Sequence, residues 1–197
     1  MADIQHFTRR RRQIMVLYVL IGIVALVLLW GVAIYNGLIK KKNLKDEAWS
    51  GIDVQLKRRS DVVPNLVETV KGYAAHEKEV FTRVTEARAA IGKSQSVAER
   101  AESENMLSGA LKTLFAVAEG YPELKANANF LQLQEQLASL ENDIQMSRRY
   151  YNGAARDYNI AISTFPSVLI ARQFGYQKAD FFEAAEEERA RPDVSFS

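Results

Sequence analysis

The chain has 197 residues, a formal net charge of +2, 25% charged residues and no cysteine. Without thiols it has no disulfide framework, no thiolate metal site and no lipid-modified cysteine anchor. The near-neutral balance gives no reason to expect a nucleic-acid partner, and four prolines and ten glycines leave room for long helices.

Residues 1–13 form a basic arm in which Arg9, Arg10, Arg11 and Arg12 abut an uncharged run from Gln13 to Ile39. A hydrocarbon core of roughly 30 Å is crossed by about 20 apolar residues as helix. The run therefore predicts a single transmembrane helix over residues 14–39, entered at Ile14. Tyr18 lies near one boundary and Trp30 and Tyr35 near the other, the depth that amphipathic rings favour. Gly31-Val32-Ala33 weakly fits a cleavage site, but the apolar stretch exceeds the roughly 7–15 residues of a signal peptide. Lys40, Lys41 and Lys42 follow directly. These lysines and the four arginines suit anionic lipid head groups, each worth about 1 kcal/mol. With Lys45 counted, basic residues tie across the span, four on each side. The four arginines resemble a signal-anchor flank, which favours a domain outside the cytoplasm.

Residues 40–175 read as one helical domain. Leu44, Ala48, Ile52 and Leu56, with Trp49 alongside, form a helical stripe. Gly51 offers a small surface for the close approach of another helix. At Pro64 either a new helix begins, capped by Ser60 or Asp61, or one long helix kinks. A second helix is expected from Asn65 to Ile91 on the stripe Val63, Val67, Val70, Ala74, Phe81, Val84 and Ile91, which Glu77 and Arg88 interrupt. Gly92–Ser96 reads as a C-cap and loop, and Ser96 with Glu99 as a capping box.

A third helix over Val97–Glu119 carries Ala98, Ala101, Leu107, Ala110, Leu111, Leu114 and Phe115, and Gly120-Tyr121-Pro122 stops it. The fourth has the strongest pattern: Phe130, Leu133, Leu137, Leu140, Ile144, Ser147, Tyr151, Ala154, Tyr158, Ala161 and Phe165 keep 3-4 spacing, as in a coiled-coil seam. Pro166 ends or kinks it, with further turns before Gly175. Residues 176–197 form an acidic segment and tail. Phe181-Phe182 with Ala184 and Ala185 predicts an amphipathic turn docked on the domain or a neighbour, and Arg191–Ser197 reads as disordered. No strand is expected. The fold class is all-α: one transmembrane helix followed by an elongated antiparallel four-helix bundle.

The stretch Glu47–Ala89, EAWSGIDVQLKRRSDVVPNLVETVKGYAAHEKEVFTRVTEARA, resembles the LemA family closely. Tyr35-Asn36 before it is similar to the family's Tyr-Asn at the end of the anchor. YNGAARDYN at Tyr151–Asn159, FPSVLIA at Phe165–Ala171 and Phe174-Gly175 resemble its C-terminal signature. The resemblance covers about residues 35–182. It implies a bacterial single-pass protein of the cytoplasmic membrane with an elongated four-helix bundle. It also implies association with an HtpX-type membrane zinc protease or a TPM-domain protein, and it brings no family-wide catalytic activity. The departure from relatives with a lipoprotein signal is the basic-flanked helix used as anchor.

Chemistry-bearing sets are scarce. His6 and His76 are the only histidines, and neither completes a zinc or di-iron pattern. No nucleophile elbow or phosphate loop occurs. No cofactor, metal or catalytic residue is assigned, and the chain reads as non-enzymatic. Lys57-Arg58-Arg59 point in successive directions around a helix, so most of that charge reads as solvated. The polar residues inside the family-like stretches are Asn152, Arg156 and Asn159 on the fourth helix, and Asp53, Arg59, Asp61 and Asn65 around Pro64. Arg156 is expected to pair with Asp61 or Asp53 and set helix register. The alternative is a partner-docking patch. The function expected is a membrane-anchored scaffold or adaptor that self-associates as a homo-oligomer and recruits membrane partners. The alternative is a lipid-binding or membrane-remodelling module acting through the basic flanks.

Overall fold

Every regular element among the described residues of the computed structural model is a helix. The structure describes residues 2–183, with side chains at Arg12 and from Ile14 onward. The side chains of Arg9, Arg10 and Arg11 and the tail from Ala184 lie outside the described residues. Helix α1 spans Ala2–Lys71, α2 Lys78–Ile91, α3 Val97–Ala118, α4 Pro122–Lys125, α5 Ala128–Ser163 and α6 Ser167–Gln173. Among the described residues there is no strand.

Two units can be distinguished. The first comprises Met1–Asn43 and Asp157–Lys178; the second comprises Leu44–Arg156 and the chain from Ala179.

In the first unit, the helical stretch beginning at Ile14 is long and apolar enough to cross a membrane. Its side chains are uncovered: Ile14 is 48% exposed, Tyr18 70% and Trp30 55%. Tyr35 is half-buried, its ring centroid 4.7 Å from that of Phe174. Tyr158 packs on Tyr176 and donates from its hydroxyl to the Gln177 carbonyl at 2.9 Å. Helix α6 ends on Gly175, whose φ of 70° lies in the left-handed region. Tyr176 N–H reaches the Ala171 carbonyl and Gly175 N–H the Arg172 carbonyl, at 3.0 and 3.3 Å. This Schellman pattern closes the helix where only glycine is unstrained.

The second unit is built on apolar stripes. Ala48, Ile52 and Leu56 of α1 are buried with Ile144, Tyr151, Ala154 and Ala155 of α5 and Phe182. Val62, Val63, Leu66, Val67 and Val70 of α1 share a larger core with Phe81, Val84, Leu107, Leu111, Leu114, Leu124, Phe130, Leu137 and Leu140. Along the α5 seam Phe130, Leu137, Leu140, Ile144, Tyr151, Ala154 and Tyr158 are buried and Leu133 and Ser147 half-buried, whereas Phe165 lies beyond the helix and is exposed. Leu44 is also exposed.

Three local expectations are revised. No new helix starts at Pro64: α1 runs through it to Lys71, and the break falls at residues 72–77. A proline inside a helix costs about 3 kcal/mol. Here Val62, Val63, Leu66 and Val67 on either side are all buried, and that packing outweighs the lost hydrogen bond. No other helix approaches Gly51 closely among the described residues; a Cβ added there meets nothing within 4 Å. At α3 the Ser96 hydroxyl accepts from Glu99 N–H as expected, but the Glu99 carboxylate reaches back to Gln95 N–H at 2.7 Å, one residue earlier than a capping box requires.

Candidate functional site

The most buried polar side chains belong to Arg59 and Glu104, 2% and 1% exposed. Arg59 is carried in by the α1 stripe, three residues after fully buried Leu56. It donates from Nη2 to Glu104 Oε2 at 2.6 Å and to the Glu104 carbonyl at 3.3 Å. Its Nη1 donates to Glu141 Oε2 at 2.7 Å and to Ser108 Oγ at 2.9 Å. Arg100, one helical turn before Glu104, donates from Nε to Glu104 Oε1 at 3.1 Å, from Nη2 to Asp53 Oδ1 at 3.2 Å and from Nη1 to the Ile91 carbonyl at 3.2 Å. The result is a chain of alternating charge, Asp53–Arg100–Glu104–Arg59–Glu141, that ties α1, α3 and α5. Buried charges are tolerable only with such multiple pairing, and the geometry fixes one register of the three helices.

The sequence reading also gave a register role to Arg156. Arg156 and Asp61 are both exposed, and Asp53 bonds to Arg100. Arg59 and Asp53 enter the cluster, and Asn159 is half-buried. Asn65 is exposed, its carbonyl accepting from Thr69 at 2.8 Å. Asp61 and Arg58 line an open groove of about 760 Å³ with Val62, Gln132, Gln136 and Leu140. Glu104, Arg100 and Glu141 were missed. The signal was present: the α3 stripe skips from Ala101 to Leu107, and Glu104 occupies the omitted inward position, three residues from each.

Asn152 has another partner. Its Oδ1 accepts from Phe182 N–H at 2.9 Å and its Nδ2 donates to the Phe182 carbonyl at 3.0 Å. Phe182 is fully buried beside Trp49, with ring centroids 6.3 Å apart, and the Arg148 guanidinium lies 5.2 Å from its ring centre. Trp49 meets Tyr151 edge-on at 5.3 Å. The Tyr151 hydroxyl donates to the Asp180 carbonyl at 2.8 Å. Burial first, then the charges of Asp180 and Asp46, push the Tyr151 phenol up to about 12, so it remains a donor at all ordinary pH. Of the amphipathic turn expected at Phe181-Phe182, Phe182 docks on the second unit as expected, while Ala184 and Ala185 lie outside the described residues.

At the membrane-flanking positions, Arg12, Lys40 and Lys42 are exposed, while Lys41 is half-buried and lies 3.6 Å from Asp157. Among the described residues no group of three His, Asp or Glu side chains is arranged to hold a metal ion.

Comparison with known proteins places these features in a family. The LemA family model matches residues 48–196. Protein LemA of Metamycoplasma hominis is 29% identical over 164 residues, covering 81% of this chain and 74% of that protein. Magnetosome protein MamQ 2 of Paramagnetospirillum magneticum is 24% identical over 175 residues, 76% of this chain and 64% of its own length. Magnetosome protein MamQ of Magnetospirillum gryphiswaldense is 22% identical over 174 residues, with 75% and 64% covered. The chain thus spans less than two thirds of each magnetosome relative. The family match extends from the start of the α1 stripe past the buried Phe182, and the chain belongs to the LemA family.

Proposed function

We propose that the protein is a membrane-anchored helical scaffold, without catalysis of its own, that self-associates and recruits or regulates other membrane proteins. One observation carries this reading. The single helix α1 supplies both an uncovered apolar stretch from Ile14 and the buried stripe of the second unit. Lipid is the medium that removes the water-exposure cost of the first part. The second part, with α2, α3 and α5, is then an antiparallel four-helix bundle held at the bacterial cytoplasmic membrane. Tethering confines copies to a plane, and weak contacts become avid. The HtpX-type protease or TPM-domain protein implied by the family resemblance is the partner class to look for, on the extracytoplasmic side that the four arginines favour. Cross-linking in intact membranes followed by mass spectrometry tests the reading. Homotypic and membrane-protein cross-links are expected, and a strictly monomeric, partner-free product would refute it. Digestion of spheroplasts tests the side.

The exposed Lys40 and Lys42 favour a second reading, a module that binds anionic lipid through its flank. Salt-sensitive binding of residues 40–197 to anionic vesicles would select it over the scaffold.

A further inference from the structure

The segment Ala179–Glu183 has no helix or strand of its own, yet it is held as a ligand is held. Its main chain is bonded by side chains. Asn152 takes both the N–H and the carbonyl of Phe182, Tyr151 takes the Asp180 carbonyl, and Asn105 donates to the Glu183 carbonyl at 3.3 Å. Specificity resides in one pocket, where Trp49, Tyr151 and Arg148 enclose the fully buried Phe182 ring. Main-chain bonds that any extended peptide can make, plus one side-chain pocket, are the division of labour used by peptide-recognition sites. These four bonds use side chains of the groove, so withdrawing the segment breaks none of the backbone hydrogen bonds within α1, α3 or α5.

We propose that Trp49, Arg148, Tyr151 and Asn152 form a peptide-binding groove, filled within one chain by its own Phe182 segment, that in an assembly takes the Phe182 segment of a second copy. The second copy is the occupant because it carries every atom the groove recognises, in the same order. Exchange replaces each bond by its equal, so its cost is small, as in domain swapping. Confinement to a membrane plane raises the concentration of the competing segment. The inference rests on the self-association reading and names its chemistry.

The test uses the full-length chain in lipid nanodiscs, with Trp30→Phe so that Trp49 is the only tryptophan. A synthetic peptide of residues 176–183, with nitrophenylalanine at position 182, quenches Trp49 only when it enters the groove. Saturable quenching is expected, weakened at least tenfold by Asn152→Leu and at least tenfold tighter in Phe182→Ala, where no internal segment competes. Lack of saturable quenching would overturn the groove. For exchange, differently tagged copies are mixed in proteoliposomes. A Phe182→Ala copy (groove intact) with an Asn152→Leu copy (segment intact) should co-isolate several-fold better than either variant with itself. Equal co-isolation in all pairings would overturn exchange while leaving self-association standing. If wild-type copies never co-isolate, both fail.

Discussion

Arg88 Nε donates to the Ser60 carbonyl at 2.9 Å, and that carbonyl is the one Pro64, four residues on, has no N–H to serve. A side chain from α2 thus repairs the defect that proline makes in α1. The bond explains how one helix runs past Pro64 without a terminus. It also makes the two residues energetically dependent on each other.

Pro64→Ala restores a helical donor and removes a residue that costs about 3 kcal/mol in a helix interior. The variant should be more stable by about 1–3 kcal/mol. Arg88→Ala should cost about 1 kcal/mol in the native sequence and close to nothing in the Pro64→Ala background. Denaturant unfolding of the four proteins in detergent measures this cycle, and equal costs of Arg88→Ala in both backgrounds would contradict the repair.

Arg59→Met leaves Glu104 buried with Arg100 as its remaining charged partner. A loss of about 3–5 kcal/mol is expected, as for other broken buried pairs. Arg59→Met with Glu104→Leu replaces the pair by apolar groups and should recover most of that loss. Thermal unfolding followed by circular dichroism distinguishes the two, and a double variant no better than the single one would show that the charge chain is not the cause.

The Tyr151 phenol ionises near 10.0 in the unfolded chain and near 12 when folded. The folded state therefore holds its proton more tightly, and stability from this group is complete below pH 10 and falls as pH rises toward 12. Between those values the native protein should lose stability more steeply than Tyr151→Phe. Unfolding midpoints from about pH 9 to 12 test this, and parallel curves would mean that the phenol is not shielded.

Gly51 sits in the α1 interior with open space around its missing Cβ. Gly51→Ala should raise stability by about 1 kcal/mol. A loss of stability, or of self-association without loss of fold, would instead point to a neighbour seated at this position.

How much of this was legible in the sequence depended on the strength of the local signal. The apolar stretch from Ile14 follows from its length and lack of charge, while the α1 stripe from Ala48 to Leu56 and the α5 seam follow from periodicity, which held because those faces are buried. Pro64 misled because a proline's local cost is readable but the compensating Arg88 bond, 28 residues away, is not. The charge cluster was half legible. Asp53 and Arg59 stood out by their place in a family-like stretch. Their partners did not: Glu104 fills the gap in the α3 stripe between Ala101 and Leu107, but nothing local marks Arg100 or, on α5, Glu141 as its neighbours. Asn152 stood out too, but its partner lies in a segment without periodicity, where sequence pattern gives no register.

The account depends on lipid surrounding the stretch from Ile14 to Ile39. The most direct measurement is fractionation of cells making the full-length chain, with an alkaline carbonate wash of the membranes and then detergent. The chain should stay in the washed membranes and be released by detergent alone, whereas a version starting at Lys40 should no longer resist the wash. Full-length protein in the aqueous fraction without detergent would contradict the account.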